Sequence, residues 1–304
     1  MSKIFMNKKG VNMGAKNIFF KSAAFLLMAW LLLIPTTNAQ AAVKKLNILN
    51  GSSKTSCQID LDGDGVKENL KLTTKYDAYG CITKAVFYVN NQKALMLNKP
   101  NWVFSIGVDY VKMSDSNIFI RCCTTGDNDI AGSDYFYRYD PSRKKLVKET
   151  RLLDINESCS SASIKTVTDS EVKIKYYHQL KAIGGITWTA SYAIRDGKLK
   201  LKSTAYKAKS TATTKYGDSD GYGKLLEKNQ YKSIRGDLIL RTDTSMNTIA
   251  FRVNQDDILT LKKIKYTKDE WYVQFEKDGK KGWLGLSGIG SMDLFYGVRE
   301  RLAG

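Results

Sequence analysis

From residue 43 onward, apolar and polar residues alternate in short runs, and the runs are broken by Gly, Asn or Asp pairs. Period two puts successive side chains on opposite faces of a strand, whereas a surface helix repeats its apolar residues every three to four positions. No long stretch has the helical period. The chain is therefore expected to be all-β, with an antiparallel meander or sandwich in its N-terminal part.

The turn signals pick out individual hairpins. Lys84–Val89 turns at Asn90-Asn91 and returns through Ala94–Leu97. Tyr135–Tyr139 turns through Asp140–Arg143 and returns at Lys145–Lys148. Ala190–Ile194 turns at Asp196-Gly197, a pair that favours tight hairpins, and returns through Lys198–Leu201. Glu171–Tyr177 reads as a further strand. Short helical turns are expected only at Leu225-Leu226 and over Met292–Leu302.

The first 41 residues follow a different logic. Lys3, Lys8, Lys9, Lys16 and Lys21 precede a twelve-residue apolar run, Ala23–Ile34, which Pro35 ends. Ala39-Gln40-Ala41 then supplies a small-x-small signal. This order is that of a secretory signal peptide cleaved after Ala41, and twelve residues fall short of the ~20 that a spanning helix needs. The expectation is a secreted, cell-wall-associated protein with no transmembrane span after cleavage. Removing the leader's five lysines takes the net charge from +18 to +13. Such a charge suits an anionic cell surface bearing phosphate-rich polymers. No helix-turn-helix, zinc-finger or RNP motif points to sequence-specific nucleic acid.

All five cysteines (57, 81, 122, 123 and 159) follow the leader, and export permits disulfides. Cys57–Cys81 is a plausible bridge across a strand pair, and Cys159 is in reach of Cys122 or Cys123. The competing reading is unpaired small hydrophobes in strands. Without a C-x-x-C pair, cysteine-based metal or redox motifs are excluded. Between Lys202 and Thr214 the sequence turns small, polar and basic, which suggests a linker or an exposed strand. The expected organisation is a signal peptide over 1–41, a β-rich domain over 42–202, a linker over 203–234 and a second domain over 235–304.

The most specific motif is Asp60-Leu-Asp62-Gly-Asp64-Gly-Val66-Lys-Glu68. Calcium takes six to eight hard oxygen ligands, and carboxylates at relative positions 1, 3, 5 and 9 plus a carbonyl at position 7 supply five. Gly65 stands at position 6, where the loop turns sharply. An EF-hand would place a glutamate at position 12, but Lys71 is there and strand-like runs flank the loop. The motif resembles instead the calcium loop of FG-GAP and VCBS-type β-propeller repeats, although Asn69 intervenes before Leu70. That resemblance implies structural Ca2+ held by Asp60, Asp62, Asp64, the Val66 carbonyl and Glu68. Only one such loop occurs, so a single sandwich or partial propeller-like sheet is expected rather than a closed propeller. A metal-free Asp/Gly turn is the bland alternative.

In the last ninety residues, Leu238–Thr242, Ala250–Val253, Asp256–Ile264, Glu270–Phe275 and Lys277–Leu286 read as five short strands with a turn at Asp278-Gly279. The series resembles bacterial SH3-like domains of the cell-wall-associated kind over about 235–290. The match rests on Leu238, Arg241, Asp257, Leu259, Leu261, Trp271, Val273 or Phe275, Gly279, Lys280, Gly282, Trp283 and Leu284. Asp243–Asn247 departs from the family, which often has a proline-containing turn there. The resemblance implies a small barrel that binds cell-wall peptide, or serves as an interaction module. Trp271, Tyr272 and Trp283 are its candidate ligand-binding residues, with both tryptophans open to a core reading instead.

Catalytic equipment is scarce. The single histidine, His178, alternates with Val172, Ile174 and Tyr176 on an apolar face, as a structural imidazole would. No G-x-S-x-G elbow or Walker loop occurs. A carboxylate-pair hydrolase stays open, because such pairs form only in the fold. The leading expectation is a non-catalytic envelope protein that binds cell-wall peptide or an anionic wall polymer. Two alternatives are an interaction protein for another envelope protein and a wall-active hydrolase.

Overall fold

The computed structural model describes residues 41–46, 55–98, 103–126, 133–152, 161–180, 182–211, 229–267, 270–286 and 294–295. Residues 1–40 of the segment expected as a signal peptide, the turns expected at Leu225-Leu226 and most of Met292–Leu302, and Cys159 lie outside them. The fold is all-β, built from antiparallel sheets. The first half contains β1 (Ala42–Leu46), β2 (Ser56–Ile59), β3 (Glu68–Tyr76), β4 (Ile82–Val89), β5 (Gln92–Asn98), β6 (Val103–Ser114), β7 (Asn117–Gly126), β8 (Asp134–Asp140) and β9 (Lys145–Arg151). The second half contains β10 (Ser161–Val167), β11 (Glu171–Leu180), β12 (Gly184–Arg195), β13 (Lys198–Leu201), β14 (Ala205–Ser210) and β15 (Gln230–Lys232). It ends with β16 (Leu238–Arg241), β17 (Ile249–Val253), β18 (Ile258–Thr267), β19 (Glu270–Lys277) and β20 (Lys280–Gly285).

Three sheets result. One has the order β2-β3-β4-β5, the second β1-β6-β7-β8-β9. The third runs β10-β11-β12-β14-β18-β19-β20-β16-β17, with β13 added to β12 and β15 to β18. The expected hairpins form where the turn residues put them. Asn90, Asn91 and the Asp196-Gly197 and Asp278-Gly279 pairs all adopt positive φ, the backbone that matches the twist of a two-residue hairpin.

Packing divides into two apolar clusters. Ile59, Leu61, Leu70 and Phe87 of the four-stranded sheet meet Ile106, Val108, Ile120 and Cys122 of the five-stranded one. Phe119 and Phe136, on the other side, meet Ile174, Trp188 and the inner residues of the long sheet. β7 consequently buries five consecutive residues, Ile118–Cys122, as a strand covered on both faces must. Arg121 fits this run because its guanidinium is saturated. It donates to Asp134 on β8, to Asp109 on β6 and to the Ala162 carbonyl of β10, so it also ties two sheets together.

Three expectations need correction. The stretch expected as a linker over 203–234 contains β14 and β15, and β14 bridges β12 to β18. Its sequence, Tyr206-Lys-Ala-Lys-Ser210, alternates buried and exposed residues, but small Ala and Ser made the inward set look polar. The regions before and after it share one sheet and one core, and Gln40–Gly304 is a single unit. Second, the strands after residue 235 lie in this open sheet, and no barrel closes among the described residues. Third, Cys57 pairs in register with Leu70, whereas Cys81 lies beside Asp77 at the other end of β3. Seven residues of strand span about 23 Å, far beyond a disulfide's Cα separation of under about 7 Å. Cys122 and Cys123 are free thiols, and burial pushes the Cys123 thiol up to about 11.

Candidate functional site

The acidic loop leaves β2 at Ile59 and re-enters the sheet at Glu68 of β3, which pairs directly with Ile59. Within it the chain folds on its own carboxylates. Asp60 accepts from the Gly63 and Gly65 N–H groups at 2.7 and 3.2 Å. Asp62 accepts from the Asp64 N–H, Asp64 from the Val66 N–H at 2.7 Å, and Glu68 from the Leu61 N–H at 2.8 Å. These are Asx-type turns, in which a short acidic side chain replaces a backbone acceptor. Gly63 and Gly65 both take φ near +86°, which L-residues avoid. Gly63 has a second constraint: a Cβ there would lie 1.8 Å from the carbonyl oxygen of Asp115. The loop is seated on the β6–β7 turn.

Three of the five expected ligands converge. Carboxylate oxygens of Asp60, Asp62 and Glu68 all lie within 4.8 Å of one another. Asp64 is exposed and its carboxylate is not part of this group, and the Val66 residue is 63% exposed. Glu68, only 7% exposed, is the innermost member. Burial raises its carboxyl pKa above the ordinary value, and the charges of Asp62 and Asp64 push the same way, against the Leu61 hydrogen bond. Among the described residues, no Lys or Arg forms an ion pair with these three carboxylates. The donor set is all hard oxygen, which suits calcium or another hard cation.

Two tyrosines beside the loop were not singled out in the sequence. Tyr110 of β6 is pushed up to about 12, first by burial and then by Asp60, Asp115 and Glu68. Tyr139 of β8 is raised by burial, then by Glu68 and Asp62. Both phenols thus stay neutral against the acidic group. No local motif could have revealed them, because they lie 50 and 79 positions downstream of Asp60.

The candidate ligand-binding aromatics are not brought together. Trp271 and Tyr272 are neighbours on β19 and point to opposite faces. Trp271 is 6% exposed, packed at 5.2 Å ring to ring on His178, at 5.5 Å on Trp188 and at 4.5 Å on Tyr266. It is a core residue welding β19 to β11 and β12, which corrects its place among ligand contacts. Trp283 is 9% exposed, opposite Arg241 and Gln274. Only Tyr272 is half-exposed. His178 is fully buried under Trp271, which removes the one imidazole from contact with a substrate.

No protein-family model matches the chain, and no curated protein or solved structure is significantly similar to it.

Proposed function

We propose that this chain is an exported, non-catalytic envelope protein that binds an anionic cell-wall polymer, with a calcium ion bracing the 60–68 loop. The carrying observation is the convergence of Asp60, Asp62 and Glu68 in one loop of an otherwise strongly basic chain. Three carboxylates held this close repel unless a cation sits among them. The remaining surface, at +13 without the leader, attracts polyanions. Burial of His178 supports binding over general-base chemistry.

The test is cosedimentation of the purified chain with isolated cell walls, with calcium or with chelator, at low salt and at about 0.5 M, where the Debye length falls to a few ångströms. Retention at low salt is expected, with release as salt screens the attraction. Failure to sediment at low salt overturns the reading. A calcium-dependent rise in melting temperature, absent in Asp60→Asn/Asp62→Asn, tests the brace separately.

A further inference from the structure

The outer face of the long sheet carries a row of lysines that the loop and the core do not use. On β14, Tyr206, Ala208 and Ser210 point inward and Lys207 and Lys209 outward. Register then aligns the neighbours: Lys207 is directly opposite Lys263 of β18, Lys263 is opposite Gln274 of β19, and Lys209 is opposite Thr187 of β12. Two strands away, Lys175 of β11 is opposite Thr189. Lys175, Lys207, Lys209 and Lys263 are all exposed, and among the described residues none of the four forms an ion pair. The acids on the strands of this sheet are Glu171 of β11 and Glu270 and Glu276 of β19. Glu171 is engaged by Lys173 and Lys202, and Glu276 by Lys262 and Lys281.

Like charges directly opposite on adjacent strands disfavour the pairing. Lys207 and Lys263 are such a pair, at an interstrand spacing of about 4.8 Å. Lys209 is about 6.6 Å further along its strand, and Lys175 about 10 Å across the sheet from Lys207. A chain of regularly repeated anions satisfies all four ammonium groups together, where an isolated anion reaches one or two. Thr187, Thr189 and Gln274 add hydrogen-bonding groups between them.

We infer that the outer face of β11, β12, β14 and β18, centred on Lys175, Lys207, Lys209 and Lys263, is the docking surface for a linear phosphate-bearing polymer. This rests on the polyanion-binding reading above and locates it. The face does not favour single-stranded nucleic acid, which needs exposed aromatic platforms for its bases. Its tyrosines, Tyr177 and Tyr272, are half-buried, and Tyr177 donates to Gln179.

The experiment titrates soluble polyphosphate into the purified chain and two charge-matched variants. The face variant carries Lys→Gln at 175, 207, 209 and 263. The control carries Lys→Gln at 71, 75, 93 and 144, exposed lysines of the other two sheets and their turns. The face variant should lose about tenfold or more in affinity at low salt, and its slope of log K against log salt should fall by about three. The control should change less than threefold. The face variant's melting temperature without ligand should equal or exceed the parent's, since the Lys207–Lys263 repulsion is gone. Equal losses in both variants overturn the inference, as does tighter binding of single-stranded DNA than of polyphosphate through this face. Walls retained equally by parent and face variant overturn the surface while leaving wall binding intact. Polyphosphate bound through the face, with walls not retained, upholds the surface and overturns the envelope reading.

Discussion

Asp109 and Asp134 meet over Arg121 inside the five-stranded sheet, while Asp60, Asp62 and Glu68 meet in the turn between β2 and β3. Both groups gather carboxylates that would repel one another, yet they are compensated differently. In the first, the chain supplies the cation: burial alone would lower the Arg121 pKa, but the hydrogen bond and charge of Asp134 outweigh it and hold the guanidinium charged. In the second, the described residues supply no partner cation, and the Glu68 carboxyl is pushed up instead. A side-chain cation locks its carboxylates permanently. A group that lacks one depends on what the solution provides.

The comparison is broken most severely by removing the internal cation. Arg121→Met should strand two partly buried carboxylates and cost up to about 3–5 kcal/mol, measured as a shift of the urea midpoint at constant slope. Calcium should not rescue it. For the loop, calcium at about a hundred times its dissociation constant should stabilise the chain by about 2.7 kcal/mol, read as a melting-temperature rise that chelator reverses. Gly63→Ala should cost about 1–3 kcal/mol, because its methyl cannot share space with the Asp115 carbonyl at φ near +86°. An unchanged urea midpoint would mean the loop is not seated on the β6–β7 turn.

The smallest effect concerns pH. With the folded carboxyl of Glu68 raised above its ordinary 4.5, the folded state binds the proton more tightly than the unfolded chain does. In chelator, this group's contribution therefore favours folding increasingly as pH falls from neutral through its folded-state titration, and levels off below 4.5. Glu68→Gln should flatten that component while keeping an acceptor for the Leu61 N–H. Urea midpoints of parent and variant at neutral pH and at about pH 5 should differ in slope accordingly. Identical pH profiles would show that Glu68 is compensated in the folded protein.

Much of the fold was legible because strands write themselves in period two. The Asn90-Asn91, Asp196-Gly197 and Asp278-Gly279 turns were readable from residue type, since positive φ selects so few residues. β14 reads as either a linker or an exposed strand, because alternation between lysine and small residues looks polar until a neighbouring sheet defines inside. The acidic loop was recognised by spacing, but of its four expected carboxylates three converge. Spacing along a chain does not say which carboxylate turns outward, as Asp64 does. Trp271 shows the same limit. Its sequence neighbourhood suggested a groove aromatic, whereas its surroundings, His178 and Trp188, come from strands more than eighty residues earlier.

The sequence by itself determined the all-β class, the hairpin turns, the acidic loop and the basic charge, because each depends on interactions within a few residues or on composition. Tertiary structure decided the rest. It joined the two halves through β14, sealed Trp271 and His178 in one core, left Asp64 outside the carboxylate cluster, and lined up lysines from three strands on one face. Those outcomes depend on register between strands far apart in the chain. Register is settled by burying one apolar face against another, and no local pattern contains it.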